Sequence, residues 1–233
     1  MVSAKVRYEL RDSVAVITMD DGKANALSHE MIDGLQACLD TGEREARAVV
    51  LTGRDKRFCA GFDLNAMTSS HEAARQLVTA GAELLVRLYT FPRPVVLACT
   101  GHALAAGSLF LFAADVRIGV RGDFKIGLNE VSIHMTLPIF ALEMARDRLS
   151  KRHFTSAVTQ ARIFDPDTAK DAGFFDQLEA PEALLSTALD RARRLAELPE
   201  ASFRITKERA RAATVKLIRE TLTADMAQLT SPR

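Results

Sequence analysis

Val95-Val96-Leu97-Ala98-Cys99-Thr100-Gly101-His102-Ala103-Leu104-Ala105-Ala106-Gly107-Ser108-Leu109-Phe110-Leu111-Phe112-Ala113-Ala114 contains no Asp, Glu, Lys or Arg. A run of this length is long enough to suggest a membrane-spanning helix. Gly101, His102, Gly107 and Ser108 interrupt it, however, and Pro92 and Pro94 precede it. The better reading is a buried strand from Val95 to Cys99, a glycine turn, and a buried helix after Gly107. A buried strand feeding a buried helix points to an α/β protein.

The same alternation extends outward from this stretch. On the N-terminal side, Val6, Tyr8 and Leu10 alternate with polar residues as a first strand, and Asp12-Ser13 turns into a second strand, Val14 to Met19. Asp20-Asp21-Gly22 breaks that strand. Ser28 then reads as the N-cap of a helix with Met31, Ile32, Leu35 and Leu39 on one face. Ala48 to Leu51 is a short buried strand closed by Thr52-Gly53, and a long helix from about His71 to Tyr89 turns Leu77, Leu84, Leu85 and Leu88 inward. On the C-terminal side, Val116, Ile118 and Val120 alternate as a strand. After Pro138 the chain reads as mainly helical, with a short strand near Phe174 to Leu178.

Composition limits the function. The 233 residues are 48% hydrophobic and 26% charged, which excludes a disordered chain and a small disulfide scaffold. Lys and Arg number 31 against 30 Asp and Glu, so the basic excess of a duplex-binding protein is missing. The cysteines are Cys38, Cys59 and Cys99, an odd number in no zinc or CxxC spacing, which suits a reduced, cytoplasmic protein. Met1 to Leu10 lacks the apolar core of a signal peptide. The five histidines lack the spacing or cysteine company that zinc requires, so no metal is expected.

Three segments are over-specified for packing. They are Arg57-Phe58-Cys59-Ala60-Gly61-Phe62-Asp63-Leu64 after a strand, Thr100 to Gly107 at a strand-to-helix turn, and Ile126-Gly127-Leu128-Asn129-Glu130-Val131. Taken singly, each is only a turn, and a lone glutamate is by default a solvated acid. Together, in this order and at these separations, they resemble the crotonase superfamily, the enoyl-CoA hydratase/isomerase family. The resemblance begins at Lys23-Ala24-Asn25-Ala26-Leu27 and continues to Ala169, Gly173 and Asp176. It implies an α/β crotonase (ClpP-like) spiral of ββα units over residues 1–190. A C-terminal helical trimerisation region would follow over 191–233, in a homotrimer or hexamer.

The resemblance also implies a chemistry. Family members bind acyl-CoA thioesters and stabilise a thioester enolate with two backbone N–H groups, which fall by position on Phe62 and Ala106. Preorganised donors of this kind are worth about 3–4 kcal/mol each, and an amide opening a helix gains from the helix dipole. Two departures from the family pattern stand out. The second turn, often Gly-Gly-Gly, is Ala105-Ala106-Gly107 here, which is tolerable if the backbone keeps helical angles. Hydratases of the family use two glutamates. Glu130 matches the second, while Leu109 occupies the place of the first.

Water addition asks for two acid/base groups, and leucine supplies none. A double-bond shift asks for one base at C2, and the family's Δ3,Δ2-enoyl-CoA isomerases use a single glutamate at this place. The sequence therefore favours an enoyl-CoA isomerase of fatty-acid metabolism. The alternatives are an enoyl-CoA hydratase with an altered second group and a non-catalytic acyl-CoA binding protein. His134, four residues after Glu130, would be a second acid/base or a polar lid, or else an ordinary loop histidine. His102 reads as a packing residue, Asp63 as a loop-fixing carboxylate, Cys59 as a small buried side chain and Asp115 as structural.

For coenzyme A, which enters as part of the substrate and not as a prosthetic group, the matching positions are Lys23, Ala24 and Ala60, with Lys207 reaching a neighbouring subunit's cofactor. Arg191 to Arg233 carries ten Lys and Arg against five Asp and Glu. A positive surface there would attract phosphates.

Overall fold

The computed structural model describes residues 4–229. Two sheets grow from one repeated unit. β1 (Val6–Arg11) and β2 (Val14–Met19) form an antiparallel hairpin that leads into α1 (His29–Glu45), whose N-cap is Ser28. β3 (Ala48–Thr52) then joins the main sheet, and β4 (Lys56–Cys59) turns away from it before α2 (Leu64–Ser69) and α3 (His71–Tyr89). β5 (Val95–Cys99) and β6 (Gly101–Leu104) repeat the step before α4 (Ala106–Ala113). β7 (Val116–Val120) and β8 (Ile126–Gly127) repeat it again. A single 3-10 turn (Val131–Ile133) follows, then α5 (Ile139–Arg148), α6 (Lys151–Val158) and α7 (Pro166–Ala172). β9 (Gln177–Glu179), α8 (Pro181–Ala196) and α9 (Glu200–Met226) complete the described chain.

β1, β2 and β9 join the first strand of each later pair, β3, β5 and β7, in a six-stranded sheet of order β1-β2-β3-β5-β7-β9, parallel from β2 onward. The second strand enters a three-stranded parallel sheet, β4-β6-β8. The chain thus turns a corner within every unit and spirals from one unit to the next. Gly101 makes the tightest corner: a Cβ there would meet the Lys56 carbonyl oxygen at 2.2 Å, so only glycine lets β6 lie against β4.

Burial on both faces explains the continuous apolar strands. Val49, Leu51, Val95, Leu97 and Cys99 face the main core with α1, α3 and α4. Ala48, Val50, Val96 and Ala98 face the opposite side, where Leu184, Ala188, Leu189 and Ala192 of α8 cover them. The period-2 alternation of strand side chains produces this division.

Three expectations change. The glycine-containing segments read as turns contain the strands of the second sheet, each four residues or fewer and too short for an alternation to show. Phe174 and Phe175 pack in the core ahead of β9 rather than within it. The boundary expected after residue 190 falls inside α8, which packs on the main sheet. The chain leaves that layer only at Leu198-Pro199, before α9 packs against α3 and α5. Among the described residues no helix is long and apolar enough to cross a membrane.

Candidate active site

The segments that stood out in the sequence converge at the N-terminus of α4. Residues 24–27 run beside residues 60–63: Ala60 N–H donates to Ala24 O (3.1 Å), Leu27 N–H to Gly61 O (2.8 Å) and Asp63 N–H to Leu27 O (3.2 Å). Asn25 locks this arrangement from inside. It is fully buried with φ 54°, and its amide donates to Met19 O (2.9 Å) and Phe58 O (3.1 Å). Asp63 caps α2 by accepting from Ala66 N–H (3.1 Å). On the other side, Ser108 accepts from Gly127 N–H (3.1 Å) and donates to Ala103 O (2.8 Å). That hydroxyl ties the first turn of α4 to the strand that leads to Glu130.

Ala105, immediately before α4, departs from expectation. Its angles are φ 49° and ψ −123°, outside helical space and in a region where a Cβ is costly. Gly61 opposite has φ +99°, and a Cβ on it would meet the Ala105 Cβ at 2.9 Å and the Ala106 nitrogen at 3.6 Å. The pair therefore has room for one Cβ and not two. No side chain caps α4. Among the described residues neither the Phe62 nor the Ala106 N–H finds a protein acceptor. Buried helix N-termini otherwise satisfy these donors, so both remain available to an anionic oxygen.

Beside these amides lies a cavity of about 410 Å³ lined by Ala60, Phe62, Ala105, Leu109 and Glu130, with Met67, Val78, Phe140 and Leu229 among its apolar walls. Among the described residues Glu130 is the one titratable side chain on the lining, and it is 7% exposed. Burial pushes its carboxyl up to about 7, slightly offset by a bond to its own backbone. Its Oε2 is buried without a protein partner. A carboxyl group at that value can hold or release a proton near neutrality. Leu109 is buried on the same lining, so the position that the resemblance matched to the first hydratase glutamate holds an apolar side chain.

Phe62, Ala106, Ala60, Ala24 and Glu130 are therefore brought into one region. Lys23 is exposed beside it, on the same loop as Ala24, and Arg54 donates to its carbonyl (2.7 Å). Lys207 lies elsewhere. It is 7% exposed and bonded to Asp115 Oδ2 (2.6 Å), and desolvation lowers its ammonium to about 8 despite that carboxylate. Arg211 pairs with the other Asp115 oxygen (2.8 Å). Part of the positive excess of the C-terminal stretch thus points inward instead of forming an open phosphate-attracting surface.

His134 is exposed at φ 62°, closes the 3-10 turn and is not among the described residues that line the cavity. His102 packs edge-on to Phe124 and accepts from Lys125 N–H (2.9 Å). Cys59 is buried, its thiol pushed up to about 12 by desolvation. Among the described residues no cluster of three His, Cys, Asp or Glu could hold a metal.

Sequence reasoning missed three contributors. Asn25 is the first, and its signal is a polar residue inside the apolar segment Ala24-Asn25-Ala26-Leu27. Asn129 lines the cavity with its Oδ1 buried and unpartnered. Leu229 reaches the cavity from beyond α9, a long-range contact with no local signature.

The sequence matches the model of the family described as enoyl-CoA hydratase/isomerase over residues 9–232. A solved enoyl-CoA hydratase/isomerase family protein from Pseudomonas syringae is 40% identical, with a TM-score of 0.96 over 99% of this chain and 100% of that one. A Mycobacterium tuberculosis structure described as an enoyl-CoA isomerase is 40% identical, with a TM-score of 0.93 over 97% and 99%. A probable enoyl-CoA hydratase of Bacillus subtilis is 36% identical over 132 residues, 55% of this chain and half of that relative's length. The chain belongs to the enoyl-CoA hydratase/isomerase family, the crotonase superfamily.

Proposed function

We propose that the protein is an enoyl-CoA isomerase of fatty-acid metabolism that moves a double bond from C3 to C2 of an acyl-CoA. The supporting observation is the single carboxyl of Glu130 among the described residues of a mostly apolar cavity lining that also carries Asn129 and Thr68, with Leu109 where a second carboxylate would be needed for hydration. The thioester oxygen accepts hydrogen bonds from the N–H groups of Phe62 and Ala106, which favours the dienolate over the neutral thioester. Glu130 removes the C2 proton as a carboxylate, holds it as a neutral acid, and returns it at C4. One base serves both transfers, and no water is added. The apolar walls take the acyl chain, and coenzyme A runs out past Ala60 and Ala24 toward Lys23. A homotrimer or hexamer in the cytoplasm belongs to the same reading.

Replacing Glu130 by Gln tests it. Isomerisation of 3-enoyl-CoA should fall by about 10²–10⁴-fold, the range for a lost general base. Full activity in Glu130→Gln overturns the assignment. The runner-up is hydration, with Asn129 holding the water through its unpartnered Oδ1. It would show as 3-hydroxyacyl-CoA formed from 2-enoyl-CoA and lost in Asn129→Ala.

A further inference from the structure

We infer that Arg148 and Arg211 are positioning residues for thioester activation: they grip the C-terminal carbonyls of α4 and reinforce electrostatically the opposite end, where the substrate oxygen binds. This inference rests on the proposed role of the Ala106 amide.

All eight residues of α4 are buried, and the helix is about 12 Å long. A buried helix presents a partial negative charge at its C-terminus, and its last carbonyls need donors. Here two guanidinium groups supply them. Arg148, the last residue of α5, donates from Nε to Phe112 O (3.0 Å) and from Nη2 to Ala114 O (2.8 Å). Arg211 of α9 donates from Nη1 to Ala113 O (3.4 Å) and to Tyr89 O.

The charges around this end are unequal. Asp115 is the one carboxylate bonded within the cluster, and Arg211 (2.8 Å), Lys207 (2.6 Å) and the Val95 N–H (2.8 Å) all bind it. Arg117 nearby is matched by Asp176, and Asp147 is bonded to the Tyr89 and Thr214 hydroxyls. Three cations against Asp115 and Asp147 leave a net positive charge behind the helix. The crowding costs something: burial, then Arg211 and Arg117, lower the Arg148 guanidinium from its ordinary value.

Hydrogen bonds alone would hold the carbonyls without charge. Burying mutually repelling cations at one end of the helix makes sense if positive potential at the other end is useful. With a hydrogen bond of about 3 Å at each end of the helix, a unit charge about 18 Å from the enolate, at an effective dielectric of about 20, changes a rate about fivefold. The C-terminal helix that closes the cavity near Leu229 therefore also helps set the field in it.

The experiment compares Arg148→Lys with Arg148→Met, and Arg211→Lys with Arg211→Met, in the full-length protein. Two quantities are read: kcat and KM for 3-enoyl-CoA, and the thioester C=O stretch of bound 2-enoyl-CoA by Raman difference spectroscopy. The methionine variants should lose about fivefold in kcat, keep KM within about twofold, and shift the C=O stretch back toward that of the free thioester. The lysine variants should keep both readouts near wild type. A folded methionine variant with unchanged kcat and stretch overturns the inference, and so does a lysine variant that loses as much as methionine. If neither methionine variant folds, a lysine variant that loses about fivefold in kcat and whose stretch moves back toward the free thioester overturns the inference. The stretch requires binding and not turnover. A shifted carbonyl without isomerisation would therefore count against the proposed function alone, and isomerisation with a charge-insensitive carbonyl against this inference alone.

Discussion

Glu130 owes its raised carboxyl to what it lacks. Its Oε2 has no protein partner, and burial raises its carboxyl to about 7 from an ordinary value of 4.5. A base must be ionised to act, so kcat/KM for 3-enoyl-CoA should rise with pH along a limb centred near 7 and be lost on the acid side. A pH–rate profile flat from 5 to 8 would contradict this. The same shift affects stability. Between pH 4.5 and about 7 the folded chain binds more protons than the unfolded one. Stability from this group is therefore full below 4.5 and is lost as pH rises through 7. Glu130→Gln has no such window, so its stability advantage over wild type should grow by up to about 3 kcal/mol between pH 4.5 and 8. Urea unfolding at the two pH values measures it, and an equal difference at both would contradict it. The sequence pointed to Glu130 through its neighbours Gly127-Leu128-Asn129. It did not show the burial, because a lone glutamate in a loop is ordinarily solvated.

At the scale of elements, the turn into α4 is built under strain. Ala105 carries a Cβ at φ 49°, a placement costing about 1–3 kcal/mol, whereas glycine there would cost about 0.5–1 kcal/mol in chain entropy. Ala105→Gly should therefore stabilise the fold by about 1 kcal/mol in denaturant titration. A loss of that size would contradict the strain. Gly61→Ala should do the reverse and lower both stability and kcat, because its Cβ would lie 2.9 Å from that of Ala105 at an unfavourable φ. The long elements were legible in the sequence: α3 occupies the expected His71–Tyr89, and β5 the expected Val95–Cys99. The second sheet was not. Its strands have four, four and two residues and take their pairing from the spiral, so no local period announces them.

For the whole molecule, the C-terminal helix does more than extend the chain. It returns Leu229 to the acyl cavity and sends Lys207 and Arg211 inward to Asp115. Leu229→Ala should raise KM for an enoyl-CoA about tenfold, the worth of one lost apolar side-chain contact, and leave kcat nearly unchanged. Steady-state kinetics separate the two, and a fall in kcat alone would deny Leu229 a place in the acyl wall. Net charge per segment was legible in the sequence, but the direction in which those charges point was not, because Asp115 lies 92 residues from Lys207. The central claim, one carboxylate and no hydration, is tested most directly by separating the products formed from 3-enoyl-CoA and 2-enoyl-CoA. The expected result is interconversion of the two enoyl thioesters with no 3-hydroxyacyl-CoA. Formation of 3-hydroxyacyl-CoA as fast as the double bond shifts would contradict it.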